Sequence, residues 1–392
     1  MEETYICSYS RSPIGAFQGK LSGVESTKLG SMTIKATMDK ITLDPSLVDE
    51  VIMGNVLSSN LGQAPARQAA IGAGLSKNTE CMTINKVCGS GLKSIMLGDQ
   101  AIKTMNAKAV IAGGMENMSL APYYIPNARN GKKFGNDVLI DSIIKDGLLD
   151  PYNNILMGNC AEKLCSDMNY TREKQDEYAI QSYERSNEAI IKGYFKNEIC
   201  NIEINSRKKT IIINEDEEPL KFNKDKILKL NPAFDKRGTI TAANASSLSD
   251  GAASVFLASK SFVNEHNIKP LAIIVSHASF ATTPIDFTKA PIYAIKKVLK
   301  NSNLDISQID LFEINEAFAC VPMVAIDKLN INNDKVNING GAISLGHPIG
   351  ASGTRIFVTL LNALIERNLR YGIAALCIGG GEASAVILEV CK

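Results

Sequence analysis

Apolar residues recur at helical spacing in two distant segments, Leu29–Lys40 and Pro291–Asn301, and each predicts an amphipathic helix. Each is followed by an acidic turn and a short β-branched run. A glycine turn then opens a second helix, LKSIMLGDQAI in the first series. An apolar run ending in glycines closes each series, AKAVIAGGM and GIAALCIGGG. Strands alternating with helices predict βαβ crossovers and a mostly parallel sheet covered by helices, an α/β fold.

The two series match in sequence as well as in type. LDPSLVDEVIMGN (43–55) parallels LDISQIDLFEIN (304–315), VCGSGLKSIML (87–97) parallels IGASGTRIFVT (349–359), and AVIAGGMENMS (109–119) parallels ALCIGGGEASA (375–385). The pairs lie roughly 260 residues apart in the same order, which marks a duplicated unit. Two such halves packed about a pseudo-twofold axis would turn equivalent loops toward one cleft. Residues 119–248 fit neither half. They open on YYIPNARNGKKFG, continue through a charge-rich helix over Thr171–Tyr194, and include the lysine-rich run SRKKTIIINEDEEPLKFNKDK (206–226). The expected division is an N-terminal half over 1–118, completed by about 249–270, an inserted domain over 119–248 that folds over the core, and a C-terminal half over 271–392.

Length and composition agree with this picture. A chain of 392 residues exceeds the usual single domain. With 45% hydrophobic residues, 21% charged residues and a net charge of +1, it has apolar surface for a core and no charge excess to attract nucleic acid or an anionic membrane. No apolar run approaches the ~20 residues that span a bilayer. The acidic N-terminal stretch lacks a signal-peptide pattern and the C-terminus lacks a peroxisomal tail. Nine cysteines without paired zinc spacing point to a reducing compartment. The expectation is cytoplasmic, or mitochondrial matrix where a transit peptide precedes the chain.

Candidate chemistry gathers in the glycine-rich turns. The segment 340–353, GGAISLGHPIGASG, carries five glycines and His347, one of only three histidines. Its counterpart in the first half, TINKVCGSG (83–91), carries Cys88 at the start of a helix, where N–H groups and the macrodipole favour a thiolate. A nearby imidazole would take the thiol proton and hold an ion pair. Gly89 and Gly91 leave backbone N–H groups open for an oxyanion. The loop CIGGG (377–381) brings a second thiol, Cys377, and NEAFA adds Asn315 and Glu316 at the same sheet edge. One imidazole with two thiols points to acyl transfer coupled to a separate proton transfer rather than to proteolysis.

NKVCGSG, NEAFA, NGGAISLGHPIGASG and CIGGG together resemble the thiolase family across essentially the whole chain, most of all its short-chain members that act on acetoacetyl-CoA. RSPIGAFQG, MGNVL, GQAPARQA, KDGL and TAANASSLSDGAA agree as well. The resemblance implies a thiolase fold, two βαβαβαββ halves in a layered αβαβα core with an inserted loop domain serving as a CoA-binding lid. It implies acetyl-CoA C-acetyltransferase activity on acetyl-CoA, acetoacetyl-CoA and CoA, with no cofactor required. By motif, Cys88 would be the acylated nucleophile, His347 its activator, Cys377 the acid/base at the α-carbon, and Asn315 the holder of an oxyanion-hole water. The N–H groups of Cys88 and Gly379 would form a second oxyanion hole. CoA would lie along Leu148, Met157, Phe234, Ser246, Ala317 and Phe318, with Lys221 and Lys226 toward the nucleotide phosphates. A potassium ion would sit at Tyr183, Ala242, Ala243, Ala245 and Ile343, and the assembly would be a homotetramer.

Two positions depart from the family pattern. Leu156 precedes Met157-Gly158 where histidine is common, and Ser247 replaces glycine after Asn244-Ala245-Ser246. Both bear on binding and acyl preference. They leave open a broader 3-ketoacyl-CoA thiolase, and a catalytically silent acyl-CoA-binding homologue.

Overall fold

The computed structural model describes residues 2–205 and 209–391; the first three residues of the lysine-rich run, 206–208, lie outside them. In the first half the chain forms β1 (Thr4–Arg11), α1 (Ser26–Met38), β2 (Glu50–Gly54), α2 (Pro65–Gly72), β3 (Glu80–Ile84), α3 (Ser90–Lys103) and β4 (Ala109–Asn117). The region that follows holds α4 (Met157–Met168) and α5 (Arg172–Lys192), after which the chain returns through β5 (Ser249–Ser259) and α6 (Lys260–Glu265). The second half is β6 (Ala272–Ala281), α7 (Ala290–Ser302), β7 (Leu311–Ile314), α8 (Cys320–Leu329), α9 (Ser352–Glu366), β8 (Tyr371–Ile378) and β9 (Glu382–Val390).

Among the described residues these nine strands form one sheet in the order β7-β8-β9-β6-β1-β5-β4-β2-β3, with a two-residue tenth strand, Gly15–Ala16, paired to β5. The order reads as one pattern run in both directions from the centre. In the first half β2 runs parallel to β3 and β4, and β4 pairs antiparallel with β5 and then β1. In the second half β7 runs parallel to β8, which pairs antiparallel with β9 and then β6. The counterpart of β3 shrinks to a single parallel bridge between Phe312 and Val336. β1 and β6 each carry a bulge at the same point, between Ile6 and Ser8 and between Ile274 and Ser276. The halves join through the short pairing of Tyr5 with Ile273 and Ile6 with Ala272.

Packing shows why the sheet is apolar on both faces. One buried cluster joins α3 and α9 (Leu92, Ile95, Ile356, Phe357, Leu360) to strands of both halves (Ile52, Val110, Ala374, Val386), so these helices fill the middle layer. A second cluster seats α1 and α2 on the outer face of the first half (Leu29, Ile34, Ala66, Ala69, Val51, Ile111). A third seats α4, α7 and α8 on the outer face of the second (Leu164, Ile295, Val324, Ile373, Ile387). The result is the five-layered αβαβα arrangement. Strand β4, AVIAGGMEN, is buried at every residue, as a strand covered on both faces must be.

Glycines set how closely the middle helices approach. A Cβ at Gly91 would stand 2.7 Å from Thr354 Oγ1, and one at Gly353 would run into Leu92. Thr354 Oγ1 also donates to the Gly91 carbonyl at 2.8 Å. The turns that the repeat brings into correspondence therefore meet each other. The inserted region is fastened to this core by Arg11, wholly buried, which pairs with Glu198 at 2.6 Å and Asp216 at 2.7 Å. No helix of the described residues is long and apolar enough to cross a membrane.

Candidate active site

The turn before α3 is strained. Val87, a β-branched residue, has φ of +46°, a region L side chains rarely enter. Ser90 holds the turn, accepting from the Lys86 N–H at 2.8 Å and donating to the Val87 carbonyl at 2.7 Å. Gly89 has no room for a Cβ, which would strike Ile378 of β8. Cys88 is thus pressed against the end of β8, and its sulfur sits within reach of its own N–H and that of Gly379. Burial pushes the thiol up to about 11, and those two N–H groups only partly oppose the shift.

His347 comes from the opposite side, 6% exposed. Its Nδ1 lies 2.5 Å from Ser352 Oγ, which also donates to the Pro348 carbonyl at 2.9 Å. Its Nε2 lies 3.4 Å from Asn315 Nδ2, and Asn315 Oδ1 accepts from Arg355 Nη2 at 3.4 Å. Arg355 in turn pairs with Glu313 at 3.2 Å. Burial, then the Arg355 charge, drives His347 down to about 3, so the ring is neutral at ordinary pH. The Ser352 hydroxyl can rotate. Donating to Pro348, it accepts Nδ1–H and leaves Nε2 a base; donating to Nδ1, it leaves Nε2–H a donor. One side chain therefore accommodates both tautomers.

The expected thiolate–imidazolium pair is not the resting state. A thiol held near 11 and an imidazole held near 3 keep their proton on sulfur. Enclosure explains the difference, because desolvation penalises both charged forms and outweighs the helix N-terminus. Cys377, at the end of β8, is 1% exposed and pushed well above the usual thiol range by burial and then by Cys88. The backbone turns sharply after it at Gly380 (φ +91°) and Gly381 (φ +88°).

Cys88, His347 and Gly379 line one largely apolar cavity of about 520 Å³. Cys377 and Asn315 are buried beside it rather than among its lining. Leu148, Met157, Phe234, Ser246, Ala317 and Phe318 all line it, and so do both departures, Leu156 and Ser247. Leu148 ends a π-helical turn, Ile143–Leu148, that forms one wall. A Cβ at Gly158 would enter the Phe234 ring, so this glycine lets the phenyl group close another wall. Lys221 and Lys226 are exposed and do not line the cavity; Lys221 pairs with Glu218 at 2.9 Å.

Of the residues implied for potassium, Ala243 and Ile343 lie beside Tyr183. Its ring packs against the clusters that hold Ala243 and Ile343, and stacks on Phe222 at 5.2 Å. Burial, then Glu218 and Glu316, pushes its hydroxyl up to about 12, so it would serve as a neutral oxygen ligand. Ala242 and Ala245 also line the acyl cavity.

Three structural contributors were not singled out from sequence. Ser352 and Arg355 support His347 and Asn315 as described. Glu116 accepts from Asn55 Nδ2 (2.8 Å), Val56 N (3.0 Å), Leu57 N (3.2 Å) and Gly350 N (2.9 Å), tying a first-half turn to the histidine loop. An acidic residue inside the apolar run AVIAGGMEN is the signal that marks it. Glu316 faces away from the cavity. It accepts from Ser182, Tyr178, Asn337 and the Ile343 N–H, anchoring the loop that leads to His347.

The comparisons with known proteins agree with this geometry. The sequence matches the thiolase N-terminal domain over residues 4–261 and the thiolase C-terminal domain over 268–390. It is 50% identical over 390 residues to a probable acetyl-CoA acetyltransferase of Dictyostelium discoideum, covering 99% of this chain and 94% of that one. It is 47% identical to the acetyl-CoA acetyltransferase of Saccharomyces cerevisiae, covering 99% of each. A thiolase from Ascaris suum in complex with coenzyme A superposes with a TM-score of 0.94 at 43% identity, over 99% of this chain and 100% of that one. Human mitochondrial 3-ketoacyl-CoA thiolase gives 0.96 at 38%, over 100% and 99%. With the two thiolase domains matched over residues 4–261 and 268–390, and with Cys88 and His347 lining one cavity and Cys377 buried beside Cys88, the chain belongs to the thiolase family.

Proposed function

We propose that the protein is an acetyl-CoA C-acetyltransferase, joining two acetyl-CoA into acetoacetyl-CoA and CoA, or cleaving the product in reverse. The observation that carries this reading is the placement of Cys88 and His347, from loops of both halves, on one apolar cavity with Cys377 buried next to Cys88. Cys88 sulfur attacks the acetyl carbonyl while its proton passes to His347 Nε2. The C–S bond to CoA breaks, and the CoA sulfur leaves with that proton. The N–H groups of Cys88 and Gly379 hold the tetrahedral oxygen. Cys377 then takes an α-proton from the second acetyl-CoA, whose enolate oxygen is held by His347 Nε2–H and a water on Asn315. The new C–C bond forms as the acetyl–Cys88 bond breaks, and the freed Cys88 sulfur takes the thiol proton of neighbouring Cys377, which keeps the α-proton in its place. The CoA tail would run past Leu148, Met157, Phe234 and Phe318, with Lys221 and Lys226 near its phosphates.

Potassium would bind at Tyr183 and the carbonyls of Ala242, Ala243, Ala245 and Ile343, firming the wall that Ala242 and Ala245 share with the cavity. The protein would work as a homotetramer; the exposed apolar residues Leu120, Tyr123, Ile125, Val138 and Leu139 support this reading as surface a partner subunit would cover. Its nine unpaired cysteines suit a reducing compartment such as the cytoplasm.

A second reading, a 3-ketoacyl-CoA thiolase of wider chain range, draws on the apolar Leu156 side chain in the cavity wall. Thiolysis of acetoacetyl-CoA compared with an eight-carbon 3-ketoacyl-CoA separates the two. The first reading expects a strong preference for the short substrate; equal rates favour the second, and binding without cleavage of either defeats both. With labelled acetyl-CoA, Cys88→Ala should retain no label after denaturation, and Cys377→Ala should acetylate without condensing.

A further inference from the structure

A second pair of thiols lies outside the reaction. Cys165 on α4 and Cys320 at the first residue of α8 belong to the same buried cluster, and their side chains are within hydrogen-bonding reach of each other. The mechanism uses neither. Cys165, 2% exposed and donating its thiol to Gln175 Oε1 at 3.4 Å, is also one of the residues lining an open surface pocket of about 460 Å³, with Glu162, Tyr170, Arg237 and Thr239. Cys320 lies behind it, fully buried.

We propose that Cys165 and Cys320 form a reversible dithiol–disulfide site, oxidised by hydrogen peroxide that enters through the pocket that Cys165 lines. Cys165 sulfur attacks the peroxide, forming an S–O bond as the O–O bond breaks, and the departing oxygen leaves as water with the thiol proton. Cys320 sulfur then attacks the sulfenic sulfur, the S–S bond forms, the S–O bond breaks, and a second water carries off the remaining proton. Two thiols lose two electrons and the peroxide gains them. The roles follow from placement: Cys165 lines the pocket, whereas Cys320 is fully buried and does not.

The cross-link would tie α4 to α8. These helices begin beside two walls of the acyl cavity, Leu156-Met157 and Ala317-Phe318. Activity is not the readout, because Cys88 oxidises too. The full chain is treated with hydrogen peroxide, quenched by alkylation and mapped by mass spectrometry without reduction. The expected result is a peptide joining Cys165 to Cys320, lighter by two hydrogens and released by dithiothreitol. In Cys320→Ser, Cys165 should instead be captured by dimedone as the sulfenic acid. Recovery of Cys165 as a free thiol while Cys88 is oxidised, or a cross-link from Cys320 to Cys377, would overturn the proposal. The wild-type map decides the question without any variant.

Discussion

Ser352→Ala tests whether His347 acts through a ring whose second nitrogen is held. In the structure the Ser352 hydroxyl is 2.5 Å from Nδ1 and is the partner through which either tautomer is satisfied. Alanine removes that partner without adding volume, and the ring is too buried for bulk water to replace it. A buried polar group left unpaired costs about 1–3 kcal/mol. That cost falls on the acylation transition state, in which Nδ1–H must be held while Nε2 takes the Cys88 proton. At about 1.4 kcal/mol per decade, acylation should slow by about 10- to 100-fold. The assay is the single-turnover rate of Cys88 acetylation from labelled acetyl-CoA, read beside the KM for acetyl-CoA. A positioning role predicts a fall in rate with KM little changed and with Ser352→Thr restoring part of the loss. A variant that acetylates within twofold of wild type while folding normally would refute the assignment.

Three other perturbations follow from the same geometry. Gly158→Ala drives a methyl group into the Phe234 ring; overpacking of about 1–3 kcal/mol should weaken CoA-ester binding about tenfold or more, measured as KM in thiolysis. Glu116→Gln turns an N–H donor toward backbone donors of residues 56, 57 and 350, and urea unfolding should show a loss of at least about 2 kcal/mol. The reactive state needs His347 neutral, which holds above about 3, and the proton on Cys88, which holds below about 11. The pre-steady-state acetylation rate should therefore stay level from pH 5 to 9; a limb near the ordinary histidine value would show that His347 is not desolvated.

The repeat was legible because each half spends its glycines at the same places. Gly91 and Gly353 are glycine because their helices touch there, and a contact between two copies of one turn demands the same residue on both sides. The joining of the halves was not legible. β1 and β6 pair over two residues by backbone bonds alone, which leave no side-chain signature. The strand lost near Val336 was also hidden, because one bridge asks too little of the sequence to be read as a strand. Cys88, His347 and Cys377 stood out because reactive side chains in glycine-dense turns are rare. Ser352 and Arg355 did not, since a serine in a helix's first turn reads as a cap. Their roles depend on how α9 is rotated toward β7, which no local pattern encodes.

The same limit explains the misjudged charge state, and the neutral pair suits the reaction better. A helix N-terminus was visible in the sequence; the burial that outweighs it is built by Met157, Phe234, Phe318 and Ile349, brought together from far apart. Exchanging one thioester for another needs no net charge, because the proton that leaves Cys88 is the proton the departing CoA sulfur must gain. His347 near 3 cannot hold that proton for long, so it returns it to a sulfur rather than storing it. An enclosure that suppresses both ions also limits the water that would hydrolyse the acetyl–cysteine bond before a second acetyl group arrives. Opening the cavity should then show first as hydrolysis of the acylated enzyme: a polar or smaller residue at Phe234 should raise the ratio of free acetate to acetoacetyl-CoA more than it slows acetylation of Cys88.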